Sequence, residues 1–232
     1  MDRAFFASLS NVARGAIKAA ISAGLRAENK EVGGYDPVTE ADRAAERFLR
    51  QMIEETYPKH GIWGEEYGSV RESAAVQWSL DPVDGTRALV CGLPSWAVLV
   101  GLIVDGEHIA GMIDLPAIDE TLVAVDGVTQ RDGVAVRTSG CERVAEARLA
   151  TTDPYLFGDP APFDRVRKAA RLTRYGLDAL AYARVATGDI DLVVESGLKR
   201  HDYDALVAVV RGAGGVIPPN ATLLFEVDLL AV

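Results

Sequence analysis

In the stretch Trp78-Ser79-Leu80-Asp81-Pro82-Val83-Asp84-Gly85-Thr86, an apolar run leads to two carboxylates three residues apart, and a glycine and a hydroxyl follow at once. Carboxylate oxygens suit a hard divalent cation such as Mg²⁺, which wants an oxygen shell and is usually held by a few acids together with substrate phosphate. On a proline-stiffened turn, Asp81 and Asp84 can point into one space while the Val83 carbonyl faces the same way. Gly85 leaves room for a phosphate near the backbone, and the N–H groups of Gly85 and Thr86, opening a helical turn, would bind its oxygens. The string points to a cation holding a phosphate.

The rest of the chain is compatible with that chemistry. Its net charge of −10 over 232 residues argues against a nucleic-acid partner, which is bound through clustered Lys and Arg. An acidic protein that handles an anion needs a cation between them. Only Cys91 and Cys141 are present, without a CxxC pair, so neither a disulfide framework nor a thiolate metal site is expected, and the reducing cytoplasm is the natural compartment. Arg3, Arg14 and Lys18 interrupt the apolar residues of the first segment, so neither a membrane span nor a membrane partner is expected.

Several elements must bring the other acids to the turn. Phe5, Leu9, Val12, Ala16 and Ala20 recur at helical spacing and predict a packed amphipathic helix. Thr39 reads as an N-cap with Asp42 as its capping-box acid, and Ala45, Phe48, Leu49, Met52 and Ile53 carry that helix toward Pro58. A turn and a short strand then end at Gly64-Glu65-Glu66. His60 is expected to brace that turn and His108 to be exposed in a hairpin turn; with no HxxxH or HxH pair, an imidazole zinc site is not expected. A nearly all-apolar strand over 96–104 should be buried on both faces, with a meander after it.

The second half alternates strand and helix: strands over 148–152, 172–175 and 190–195, helices over 163–170, 178–186 and 202–210. Such alternation predicts βαβ crossovers and a mostly parallel sheet, with ligands at strand ends, where Glu195 and Asp202 fall. The expected division is 1–140, an α+β half carrying most of the candidate ligands, and 141–232, an α/β half carrying Glu195 and Asp202.

Asp36-Pro37-Val38-Thr39-Glu40-Ala41-Asp42, Gly64-Glu65-Glu66, Asp81-Pro82-Val83-Asp84-Gly85-Thr86, and His201-Asp202 with Gly212-Ala213-Gly214-Gly215 follow one another in order. With them the chain resembles the inositol monophosphatase family of metal-dependent phosphatases. The resemblance implies a layered αβαβα sandwich of the sugar-phosphatase type, antiparallel-rich in its first half and mostly parallel in its second, and a homodimer. It implies two or three Mg²⁺ ions: Glu65, Asp81 and the Val83 carbonyl would hold the first, and Asp81, Asp84 and Asp202 the second. Asp42 would pair with the Thr86 hydroxyl to orient and deprotonate the attacking water, so that one acid both caps and catalyses. Attack would be in line, without a phosphoryl-enzyme.

Asp84-Gly85-Thr86-Arg87, Cys91-Gly92-Leu93-Pro94, Thr173-Arg174-Tyr175-Gly176 and the run from Ile190 to Lys199 look most like the histidinol-phosphate phosphatase branch, which hydrolyses L-histidinol phosphate in histidine biosynthesis. Glu195 matches the family's substrate-binding acid; Asp178, opening a helix, is a second candidate whose other reading is an N-cap. Inositol-1-phosphate is the alternative ester, and a non-catalytic metal-binding or assembly protein is the alternative of another class. Two departures stand out: His201 replaces the aromatic usual before the last ligand, where it is expected to alter packing around Asp202, and the tail from residue 218 does not match the family.

Overall fold

The computed structural model describes residues 2–29 and 37–217, so Asp36 and the tail from residue 218 lie outside the described residues. In order, the elements are α1 (Arg3–Ser22), β1 (Ala27–Asn29), β2 (Pro37–Thr39), α2 (Glu40–Thr56), β3 (Gly61–Gly64), β4 (Gly68–Val70), β5 (Val76–Asp84), α3 (Thr86–Val90), β6 (Ala97–Val104), β7 (Glu107–Leu115), β8 (Glu120–Val125), β9 (Val128–Arg131) and β10 (Val134–Ala135). Then come β11 (Arg148–Thr151), α4 (Pro160–Ala169), β12 (Leu172–Tyr175), α5 (Ala179–Ala186), β13 (Leu192–Val193) and α6 (Arg200–Gly212). The large sheet runs β10-β9-β8-β7-β6-β5-β3-β4, antiparallel except where β3 meets β5. The small sheet, β12-β11-β13, is parallel throughout.

Strand alternation sorts these elements into five layers. On β6, Val98, Val100 and Leu102 face one way and pack with Phe6, Leu9 and Ile17 of α1 and Ala45, Leu49 and Ile53 of α2. Ala97 and Leu99 face the other way, into a core with α5, α6 and Ala150 and Val193 of the small sheet. Leu149 and Val194 show the small sheet's outer face to Phe163 of α4. The central strand reads as continuously apolar because both of its faces are covered. The order is helices, sheet, helices, sheet, helix, as the αβαβα expectation required.

The expected strand over 190–195 is regular only at Leu192–Val193. Side chains extend the ladder at each end: Arg148 N donates to Asp191 Oδ2 at 2.7 Å and Thr152 N to Glu195 Oε1 at 2.7 Å, where a longer strand would have offered carbonyls. His60 braces its turn as expected, accepting from Trp78 Nε1 at 3.1 Å and stacking on Tyr57. His108 is a correction. It sits on β7, only 20% exposed, with Nε2 2.7 Å from Asp204 Oδ1, because α6 lies across that strand and the buried Asp204 carboxylate takes both His108 and Arg200 as partners.

The seat of α6 depends on two glycines. Gly101 and Gly111 are register partners on β6 and β7, and both face α6 at Ala205. A Cβ on Gly101 would lie 3.0 Å from Ala205 N, and one on Gly111 would collide with the Ala205 carbonyl oxygen. Backbone cannot swing aside as a side chain can. Gly111→Ala is therefore expected to lift α6 and destabilise the fold by about 2 kcal/mol, read as a lower urea midpoint. An unchanged midpoint would mean that α6 is not seated by this notch.

Candidate active site

The turn after β5 is shaped by a bulge. Asp81 pairs with Leu99 and Asp84 with Ala97, so three steps on β5 oppose two on β6. In a regular strand Asp81 and Asp84 would face opposite sides; the extra residue turns Asp84 onto the side of Asp81. Pro82, which has no N–H to give the ladder, sits inside the bulge. Val83 N donates to Asp81 Oδ1 at 3.0 Å, closing the turn. Gly85 then takes a left-handed conformation, φ 81°, leading into α3, and its bare α-carbon lets Asp178 approach: a Cβ there would be 2.9 Å from the Asp178 carboxyl carbon.

Three helix N-termini meet this turn, and each gives backbone N–H to one acid. Asp42, fully buried at the third position of α2, accepts from Thr39 N through Oδ2 at 2.9 Å, and its Oδ1 is 3.0 Å from the Thr86 hydroxyl. One oxygen caps and the other meets Thr86. Asp202, third in α6, accepts from Lys199 N at 2.6 Å, while His201 Nε2 lies 3.2 Å from its other oxygen. Asp84 Oδ2 accepts from Ala179 N, the first residue of α5, at 2.6 Å. That bond bears on the N-cap reading of Asp178: it occupies the N-cap position but makes no capping bond, and Asp84 caps the helix from across the chain. Asp178 adopts φ 48° with ψ −142°, a region costing a non-glycine residue roughly 1–3 kcal/mol, so the surrounding structure holds it against that strain.

Oxygens of Asp81, Asp84 and Asp202 lie within 4.8 Å of one another. Glu65, immediately after β3, joins them through a side-chain hydrogen bond with Asp81. Burial first, then the neighbouring acids, pushes Asp81 and Asp84 well above the usual carboxylate range. Burial also raises Asp202, although His201, Lys199 N and Lys199 work the other way. An all-oxygen set of acids crowded at this distance matches the shell of a hard divalent cation, whose charge would reverse those shifts.

A cavity of about 250 Å³ opens from this cluster toward Glu195, Asp178, Tyr182 and Leu156. Glu195, 3% exposed, accepts from Thr152 N and from Thr152 Oγ1 at 2.9 Å, yet burial outweighs those bonds and raises it to about 7. Burial likewise raises Asp178, whose Oδ2 accepts from Ser95 Oγ at 3.3 Å. Every residue assigned a role from the sequence therefore lies on this cavity or, for Asp42, against it. Thr152, Ser95 and Tyr182 were not foreseen. The Tyr182 hydroxyl is buried in the cavity wall without a hydrogen-bond partner among the described residues. Tyr182 lies four residues after Asp178, one turn into α5.

Comparison with known proteins agrees with this geometry. The chain is 42% identical over 186 residues to the bifunctional phosphatase IMPL2, chloroplastic, of Arabidopsis thaliana; the match covers 78% of this chain and 54% of that protein, so the chain spans about half the relative's length. It is 36% identical over 189 residues to a histidinol-phosphatase of Mycobacterium tuberculosis, covering 77% of this chain and 72% of the relative. The structure superposes on an inositol monophosphatase from Zymomonas mobilis with a TM-score of 0.79 at 38% identity, covering 90% of this chain and 82% of that one. The profile of the inositol monophosphatase family matches residues 3–221, nearly the whole length, and the chain belongs to that family.

Proposed function

We propose that the chain is a Mg²⁺-dependent phosphomonoesterase whose substrate is L-histidinol phosphate. The observation that carries the reaction class is the convergence of Asp81, Asp84 and Asp202 beside the Asp42–Thr86 pair. Glu65, Asp81, the Val83 carbonyl, Asp84 and Asp202 would hold the cation, which when bound neutralises the phosphate and the entering and leaving oxygens. Gly85 and Thr86 would present backbone N–H groups to the phosphate oxygens.

Thr86 has one proton and two acceptors at 3.0 Å, Asp42 Oδ1 and Val83 O. Donation to the carboxylate, the stronger acceptor, leaves the Thr86 oxygen free to accept from an incoming water. Thr39 N and the Thr39 hydroxyl fix the other Asp42 oxygen, so the base cannot rotate away. This arrangement is suited to aligning a water and drawing off its proton.

The alcohol end of the ester would meet Glu195 and Asp178. Histidinol carries an amine and an imidazole, and the buried Glu195 and half-buried Asp178, each held by donors of its own, would hold such a cation better than a neutral polyol would be held. The name of the mycobacterial relative supports the same ester. Inositol-1-phosphate is the second reading, favoured by the Zymomonas mobilis structure. Phosphate release from both esters, from fructose-1,6-bisphosphate and from a 3′-phosphonucleotide, with Mg²⁺ and with chelator, tests the proposal. Preference for histidinol phosphate supports it, preference for the polyol replaces the substrate, and no Mg²⁺-dependent turnover of any ester leaves a non-catalytic binding or assembly role.

Asp84→Asn is expected to remove most turnover while the metal-free melting temperature is kept or rises, because the change discharges one of several repelling acids at constant shape. Near-normal turnover at saturating Mg²⁺ would contradict the ligand assignment. Asp42→Asn should lower turnover with Mg²⁺ affinity by calorimetry nearly unchanged; a large loss of affinity would make Asp42 a ligand. Glu195 can pair with an amine only when ionised, so kcat/KM for histidinol phosphate is expected to fall as pH drops through about 7, where Glu195 protonates. Comparing pH profiles of wild type and Glu195→Gln checks this: the variant should lack that limb, and an identical limb in both would remove Glu195 from substrate binding.

A further inference from the structure

Glu46 lies one turn beyond Asp42 on the same buried face of α2 and, like Asp42, is fully buried. None of the roles above uses it. Its oxygens are nonetheless fully engaged: Oε2 accepts from Glu66 N at 2.7 Å, and Oε1 accepts from Tyr67 N at 3.2 Å and from Arg50 Nε at 2.7 Å. From the other side, Glu65 N donates at 3.2 Å to the carbonyl of Leu80, the residue before Asp81. The turn that carries Glu65 is thus pinned between β5 and one buried carboxylate.

Gly64 fits the same arrangement. A Cβ at that position would collide with Glu46 Oε1 and lie 2.6 Å from its carboxyl carbon and 2.5 Å from Arg50 Nη2. Because β3 passes so close over the Glu46–Arg50 pair, the residue before Glu65 has no room for a side chain.

We infer that Glu46 is a positioning residue for cation binding: through the N–H groups of Glu66 and Tyr67 it holds the turn so that the Glu65 carboxyl faces Asp81. This rests on the proposal that Glu65 and Asp81 share a cation. Charge-assisted bonds to two successive N–H groups fix a turn more tightly than neutral ones. A glutamine of the same shape offers one oxygen, and its NH₂ would face a donor, so the turn loosens while the volume stays filled. Removing such an outer partner of a ligand lowers metal affinity by roughly 10–100-fold.

Titration calorimetry with Mg²⁺ on wild type, Glu46→Gln, Gly64→Ala and Leu49→Ala, with metal-free melting temperatures, tests the inference. Leu49 is a fully buried core residue of the same helix, so its truncation reports destabilisation alone. Glu46→Gln and Gly64→Ala are expected to weaken Mg²⁺ binding by about tenfold or more, and Leu49→Ala to bind as wild type does despite a lower melting temperature. Wild-type affinity in folded Glu46→Gln, or an equal loss in Leu49→Ala, overturns the inference. If Glu46→Gln does not fold, Gly64→Ala, which keeps the acid and crowds it, carries the comparison; failure of both to fold assigns Glu46 to stability and overturns the inference as well. Absence of Mg²⁺ binding in wild type overturns instead the proposal beneath it.

Discussion

Packing several carboxylates out of water within a few ångströms of each other is costly, because burial and mutual repulsion both favour the neutral acid. Asp81, Asp84 and Asp202 are in that situation, and much of the surrounding structure answers it. The N-termini of α2, α5 and α6 all point at the cluster, and each donates backbone N–H to an acid at its edge: Asp42, Asp84 and Asp202. The partial positive charge of three helix ends offsets part of the repulsion. A divalent cation supplies what the helices cannot.

The same constraint accounts for the placement of the helices. The large sheet is covered by α1 and α2 on one face and by α5 and α6 on the other, so helix starts reach the C-terminal end of β5 from both sides. The paired glycines on β6 and β7 let α6 settle onto the sheet, which sets the depth of Asp202. The bulge at Pro82 turns Asp84 to meet it. On the far side of the cavity, side chains of Glu195 and Asp191 close the ends of a short strand, so the acid proposed to read the alcohol is itself part of the sheet's hydrogen bonding.

Much of this was legible in the sequence, for identifiable reasons. The Asp81–Thr86 string, the capping pair Thr39 and Asp42, and the apolar strand after Trp96 are local patterns, and local patterns survive without coordinates. What was missed depends on distant neighbours. His108 read as exposed because its partner Asp204 is 96 positions away on another element. That Asp84, 95 positions from Ala179, caps α5 in place of Asp178 is announced by nothing nearby in the chain. Nothing local in the sequence singles out Glu46, since the turn it holds is 20 residues on.

The central claim is that the acid cluster is built for a divalent cation, and thermal denaturation with Mg²⁺ and with chelator across pH tests it most directly. Acids whose folded pKa is raised hold their protons more tightly in the fold than in the unfolded chain, so metal-free stability is lost as pH climbs through the folded values. Bound Mg²⁺ replaces those protons and stabilises the fold by mass action. The account predicts a melting temperature raised by Mg²⁺, with the gap over the chelated protein widening as pH rises above the ordinary carboxylate range. Coincident melting curves with and without Mg²⁺ above that range would contradict it.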